Sequence, residues 1–109
     1  GAGLGHDFLR HIERTRLLIH LIDASSPEVL EDLKVVEREL AAYGHGLNAR
    51  PRLVALNKIE LLDPEELGEL RTQVQAHVGL PVHAISAAAS QNLKGLLDAV
   101  WLQLGIPDL

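Results

Sequence analysis

The sequence predicts an α/β fold, a three-layer open parallel sheet of three strands with helices flanking it. Three observations point there. Short apolar runs of strand length recur at residues 16–23, 52–56 and 82–86, the composition expected of parallel strands covered on both faces. Longer stretches with apolar residues at helical spacing alternate with them. Helix-start and helix-stop residues separate the two kinds of segment, so the chain reads α-β-α-β-α-β-α.

Taken in order, Leu4, Phe8 and Ile12 fall at helical spacing and predict a short amphipathic helix over residues 4–14. RLLIHLID, residues 16–23, is the first strand. Ser25-Ser26-Pro27-Glu28 then reads as a helix start: a serine to cap free amides, a proline for the first turn, a glutamate to complement the dipole. Val29, Leu33, Val36 and Leu40 mark the buried face of that helix, which stops near Tyr43 and Gly44. Residues 52–56 form the second strand, and Asp63-Pro64-Glu65-Glu66 opens a helix whose stripe is Leu67, Leu70, Val74 and Val78, ending at Gly79. Pro81 introduces the third strand, residues 82–86. The last helix, residues 92–104, turns Leu93, Leu96, Leu97, Val100, Trp101 and Leu104 inward and stops at Gly105. Two right-handed crossovers stepping the same way place both connecting helices on one face of the sheet. The last helix is then expected on the other.

Composition narrows the function classes. The 109 residues make one domain, 47% hydrophobic and 23% charged, as in a globular chain. A net charge of −5 gives no general attraction to nucleic acid or anionic membrane. Cysteine is absent, which excludes disulfides and thiolate metal sites and fits a reducing compartment. The longest apolar run, LLIHLI, is far too short to span a bilayer. With no methionine anywhere and an abrupt start, the chain is expected to be a fragment.

Open parallel sheets bind ligands outside the carboxyl ends of their strands. Those ends carry Asp23-Ala24-Ser25, Asn57-Lys58-Ile59-Glu60 and Ser86-Ala87-Ala88. Guanine presents acceptors at N7 and O6 and donors at N1 and the 2-amino group. Asn57 can donate toward N7, the Lys58 stem can lie along the base, and Glu60 can accept from N1–H and the amino group. The amide of Ala87, in a loop of small residues, can reach O6.

On these residues the chain resembles the Obg-type GTPases, ribosome-associated bacterial P-loop proteins. The resemblance rests on GAGLGHDFLRHIERTR running into RLLIHLIDASSP, on NKIE after RPRLVALN, and on ISAAA. It implies the carboxyl-terminal half of a P-loop GTPase domain over residues 1–109, with the phosphate loop and switches elsewhere. It also implies guanine binding by Asn57, Lys58, Glu60, Ser86, Ala87 and Ala88, with GTP or GDP held through the base only and no catalytic residue in this chain. Mg²⁺ would belong to the intact parent, with no ligands here. Partners would be a guanine nucleotide and the ribosomal subunit or ribosomal RNA, in the cytoplasm, in a role in ribosome assembly. Two departures stand out. The family has Asp where this chain has Glu60, which moves the carboxylate by about 1.5 Å at most and is expected to weaken guanine preference without abolishing it. No GxxxxGK[ST] occurs, so this chain alone is not expected to hydrolyse GTP.

Other features have plainer accounts. Asp23 lacks the paired acids of a phosphoacceptor site, and Ser86 lacks the G-x-S-x-G elbow of a nucleophile. His20 and His83 lie in strands as half-buried neutral rings, and His6 and His11 miss a common helical face. Glu65, Glu66 and Glu69 form a solvated first turn, and Arg10, Arg14 and Arg16 a solvated basic cluster. The competing function is a non-catalytic interaction module that binds no nucleotide. The first strand is expected to leave one edge bare and open to self-association.

Overall fold

The computed structural model describes residues 5–105. Within them lie helices α1 (His6–Ile12), α2 (Val29–Tyr43), α3 (Pro64–Val78) and α4 (Leu93–Leu104), and strands β1 (Leu18–Asp23), β2 (Arg52–Asn57) and β3 (Val82–Ala84). The start expected at Leu4 falls outside the described residues. The strands form one parallel sheet in the order β1-β2-β3. Register pairs Asp23 with Asn57 and Leu56 with Ala84, so the exits of the strands lie side by side.

The layers fall as the crossover rule requires. Leu33 of α2 and Val74 of α3 pack with Ile22, Val54, Leu56 and Val82 on one face. Leu96 of α4 packs with Leu53, Ala55 and Ile85 on the other. Central β2 is therefore buried from Leu53 to Leu56, while β1 alternates. Coverage of β1 on both faces, expected from its apolar run, is not found: Ile19 and Leu21 are 47% and 53% exposed. They share the face of Leu53 and Ala55, and α4 reaches β2 but leaves β1 open.

The same geometry corrects the reading of α4. Leu93, Leu96 and Val100 meet the sheet, at i, i+3 and i+7. Leu97 and Trp101 lie one step round the helix and are 57% and 52% exposed, because among the described residues no second helix flanks α4 on that face. Trp101 is not core.

Helix starts also differ in how they are made. Asp63 accepts from the Glu66 amide at 2.8 Å and Glu66 returns a contact to the Asp63 amide at 3.1 Å, a complete capping box with Pro64 in the first turn. Glu66 is thus a capping residue as well as a solvated one. The serine cap expected for α2 is absent, and that helix begins at Val29. Asp23 draws Ser25 instead, accepting from its hydroxyl at 2.6 Å and its amide at 2.9 Å. Ser26 accepts from the Glu28 amide and donates to Asp32. The serines close the β1 exit turn and do not cap the helix.

Strand β3 stops at Ala84, two residues before the expected Ser86. Beyond it Ile85 still donates to Leu56, and Ser86 turns back to pair with Gln91. Asn92 then donates to the Ala84 carbonyl at 2.8 Å and starts α4. One residue with no sequence signal ties the far end of the molecule: the Arg50 guanidinium donates to the carbonyls of Ile12, Glu13 and Thr15 and so closes the C-terminus of α1. Of the expected basic cluster, Arg10 pairs with Asp7 and Arg16 donates to the Leu104 carbonyl. His20 behaves as read: burial first, then the nearby Arg52 cation, lowers its pKa and keeps the ring neutral.

Candidate functional site

The three strand exits lie beside one another because parallel register brings them to one end of the sheet. Two hydrogen bonds then stitch the β2 exit to the β3 exit. Ile59 donates its amide to the Ile85 carbonyl at 3.3 Å, and Ala87 donates its amide to Asn57 Oδ1 at 2.9 Å. Because the backbone N–H can only donate, the Asn57 oxygen must face Ala87 and the Nδ2 group points away from it.

Lys58 sits in the left-handed region, with φ 65° and ψ 35°. For a residue with a Cβ this costs about 1 kcal/mol. It turns the chain sharply out of β2 into a 3₁₀ turn, Ile59–Leu61, and carries the lysine stem back across the strand ends. There Lys58 Nζ meets Asp23 Oδ2 at 2.9 Å. The Ser25 hydroxyl, then the Lys58 ammonium and the Ser25 amide, hold the Asp23 carboxyl down to about 2. The same contact raises the Lys58 pKa, so the pair is ionised at neutral pH.

Glu60 is exposed on the 3₁₀ turn, and its pKa is lowered chiefly by the Ser86 hydroxyl, then by its own backbone amide. Ser86 itself has no exposed surface; its oxygen also accepts from the Ala89 amide at 3.1 Å. Ser86 shapes the loop from within. Ala87 and Ala88 are exposed on its outer side.

Of the six residues singled out in the sequence, Asn57 and Ala87 touch, and the Ser86 hydroxyl lowers the pKa of Glu60. Lys58 turns instead to Asp23, and Ala88 has no side chain beyond Cβ to contribute. One expected role meets a competitor: the Ala87 amide assigned to a ligand acceptor is donating to Asn57 here. Sequence reasoning placed Asp23 and Ser25 at a strand exit but missed that Asp23 meets Lys58 and draws in Ser25. The available signal was a carboxylate at the β1 exit, one strand away from Lys58 in a parallel sheet.

Chemically, the arrangement offers an amide NH₂ donor, an exposed carboxylate and an aliphatic stem pinned at its tip, all on one open surface. Those are the groups that the edge of an aminated purine requires.

No protein-family model matches the chain. Among curated proteins it is similar to the "GTPase Obg" of a Synechococcus species, 58% identical over 106 residues, 97% of this chain and 32% of that protein. The "GTPase Obg" of Thermosynechococcus vestitus is 56% identical over 106 residues, again 97% of this chain and 32% of that protein. That of Prochlorococcus marinus is 58% identical with the same coverage. The chain spans about a third of the length of these relatives.

Proposed function

We infer that this chain, a segment of the Obg GTPase family by its sequence, supplies the guanine-base grip of a GTP-binding domain. The observation that carries the reading is the contact of Asn57 with the Ala87 amide at the strand exits, with Lys58 and Glu60 exposed on the turn that follows Asn57. Asn57 Nδ2 donates to N7, and Glu60 accepts from N1–H and the 2-amino group. The Lys58 stem lies along the base while Asp23 anchors its ammonium. The Ala87 amide, held by Asn57 Oδ1 in the free chain, is shared with or passed to O6 when the base enters.

Phosphate binding lies with residues outside this segment, since no GxxxxGK[ST] occurs in it. Base contacts alone support affinity of millimolar order, about 4 kcal/mol. The intact parent hydrolyses GTP with Mg²⁺, works in the cytoplasm, and couples the nucleotide to ribosome assembly through a ribosomal subunit or its RNA. The segment contributes recognition, and the rest of the parent contributes chemistry.

The test is binding of GDP against ADP by the parent protein carrying Glu60→Asp or Glu60→Ala. The aspartate should sharpen the preference for GDP, and the alanine should cut it at least tenfold, because N1–H and the amino group are left unpaired. Equal affinity for the two nucleotides, unmoved by either substitution, would favour the interaction module. One observation lends that second reading weight: Ile19 and Leu21 on β1 and Leu97 and Trp101 on α4 are exposed apolar side chains.

A further inference from the structure

The loop that carries the Ala87 amide is closed at its root by a residue outside it. Ile85 enters the loop from the sheet, donating to the Leu56 carbonyl and accepting from the Ile59 amide. Ser86 and Gln91 then exchange both backbone hydrogen bonds, at 3.2 and 2.9 Å, and the Ser90 amide donates to the Ala87 carbonyl across the tip. Asn92 comes next in the chain. Its Nδ2 donates to the carbonyl of Ala84, the last residue of β3, at 2.8 Å. This clamp joins the two legs of the loop just outside the Ser86–Gln91 pair.

Asn92 makes the contact at the expense of its usual role. It stands immediately before α4, where an asparagine side chain ordinarily accepts from the free amides of the first turn. It makes no such cap bond. Its backbone is left-handed, φ 61° and ψ 15°, a conformation that disfavours residues with a Cβ, asparagine less than most. Ser90, two residues earlier, is left-handed as well at φ 54°. Such strain persists only where the surrounding contacts over-determine it. Helix α4 is itself packed on the sheet through Leu93 and Leu96. Asn92 thus ties the loop to a packed helix on one side and to a strand of the sheet on the other. The Ala87 amide meets a single side-chain acceptor, Asn57 Oδ1, so its direction is set by the loop that carries it.

We propose that Asn92 is a positioning residue of the base-recognition site: through its clamp on Ala84 it aims the Ala87 amide at the 6-oxo group of the purine. This rests on the guanine reading of the site and adds to it the residue that directs the O6 donor. Hydrogen bonds weaken steeply as the donor angle closes. Loss of the clamp therefore penalises ligands that present a good acceptor at position 6 and spares those that do not.

The experiment titrates the ¹⁵N-labelled chain with GMP, with 6-thio-GMP and with AMP, followed by NMR. The thio analogue keeps N7, N1–H and the 2-amino group but offers sulfur, a weak acceptor, in place of O6. The wild-type chain should bind GMP about fivefold more tightly than the analogue, the equivalent of one neutral hydrogen bond. Asn92→Gly keeps the left-handed turn and removes the clamp, and Asn92→Asp keeps the shape and removes the donor. Both should bring GMP down to the level of the analogue and leave the analogue's own affinity unchanged. Both should also speed exchange of the Ala87 amide in the free chain about fivefold. Gln91→Ala should do none of this, because Gln91 enters the loop bridge through its backbone. Equal weakening of GMP and the analogue would show Asn92 to be merely structural and overturn the proposal. A GMP-to-analogue ratio or an Ala87 exchange rate that is the same in wild type and variants would overturn it too, as would an equal loss in Gln91→Ala. Equal binding of GMP and AMP by the wild-type chain would remove the guanine reading and the proposal together. Discrimination against AMP beside an unmoved thio ratio would remove the proposal alone.

Discussion

Asn57, Lys58 and Glu60 each act through a neighbour that their own tetrapeptide does not contain. Asn57 holds the Ala87 amide, Lys58 holds Asp23, and the Ser86 hydroxyl lowers the pKa of Glu60. The tetrapeptide was legible because residue types at a strand exit announce the donors and acceptors on offer. The partners were not, because they come from other strands and depend on register. Asn57→Ala removes the acceptor for the Ala87 amide. A lost neutral hydrogen bond of about 1 kcal/mol should speed hydrogen exchange at Ala87 about fivefold, while amides of β2 itself stay protected. The Asp23 contact has a defined acid limit. Its folded pKa is depressed to about 2 from an ordinary 3.8, so its contribution is complete above the ordinary value and lost as pH falls toward about 2. Carboxyl NMR of Asp23 should therefore titrate at least one unit below a free aspartate, and Lys58→Met should raise it only part of the way, since both Ser25 contacts remain.

At the scale of elements, local signals succeeded where a terminus is set by its own residues and failed where a neighbour intervened. Asp63, Pro64, Glu66 and Gly79 delimit α3 as read, since the capping box and the left-handed Gly79 at φ 68° are built from nearby atoms. Ser25 and Ser26 misled because Asp23 competes for them. The β3 end misled because Ser86 leaves the sheet to pair with Gln91. Trp101 misled because helical spacing names a face but not whether a second helix covers it. Three substitutions separate these contributions in urea unfolding. Asp63→Ala should cost about 1 kcal/mol through the lost cap, and Gly79→Ala about 1 kcal/mol through the strained left-handed turn. Ser26→Ala should cost less than either, because Ser26 caps no helix.

The whole molecule is a sheet with one finished side and one unfinished one. Helices α2 and α3 cover more of one face, burying Ile22, Val54, Leu56 and Val82, whereas α4 leaves Ile19 and Leu21 open beside the edge of β1 that is unpaired among the described residues. Sequence pattern predicted the parallel order and the layer of each helix, since crossover handedness is general. It could not show the open side, because an apolar run records that a face prefers cover and not that cover is present. Burying Ile19 and Leu21 fully would return about 1 kcal/mol each, so this surface is expected to find a partner, either the rest of the parent chain or a second copy. Light scattering across a concentration series should show association that Ile19→Lys with Leu21→Lys suppresses; a monomer at every concentration would remove the second copy from consideration. The membrane is not implicated by any helix: among the described residues none is long and apolar enough to cross one. Recognition of guanine remains the central claim, and NMR titration of this chain with GMP and with AMP tests it most directly. GMP at millimolar concentration should shift the amides of Lys58, Glu60 and Ala87 and the side-chain NH₂ of Asn57, with AMP leaving them nearly still. Identical responses to the two nucleotides, or none at those four residues, would contradict the account.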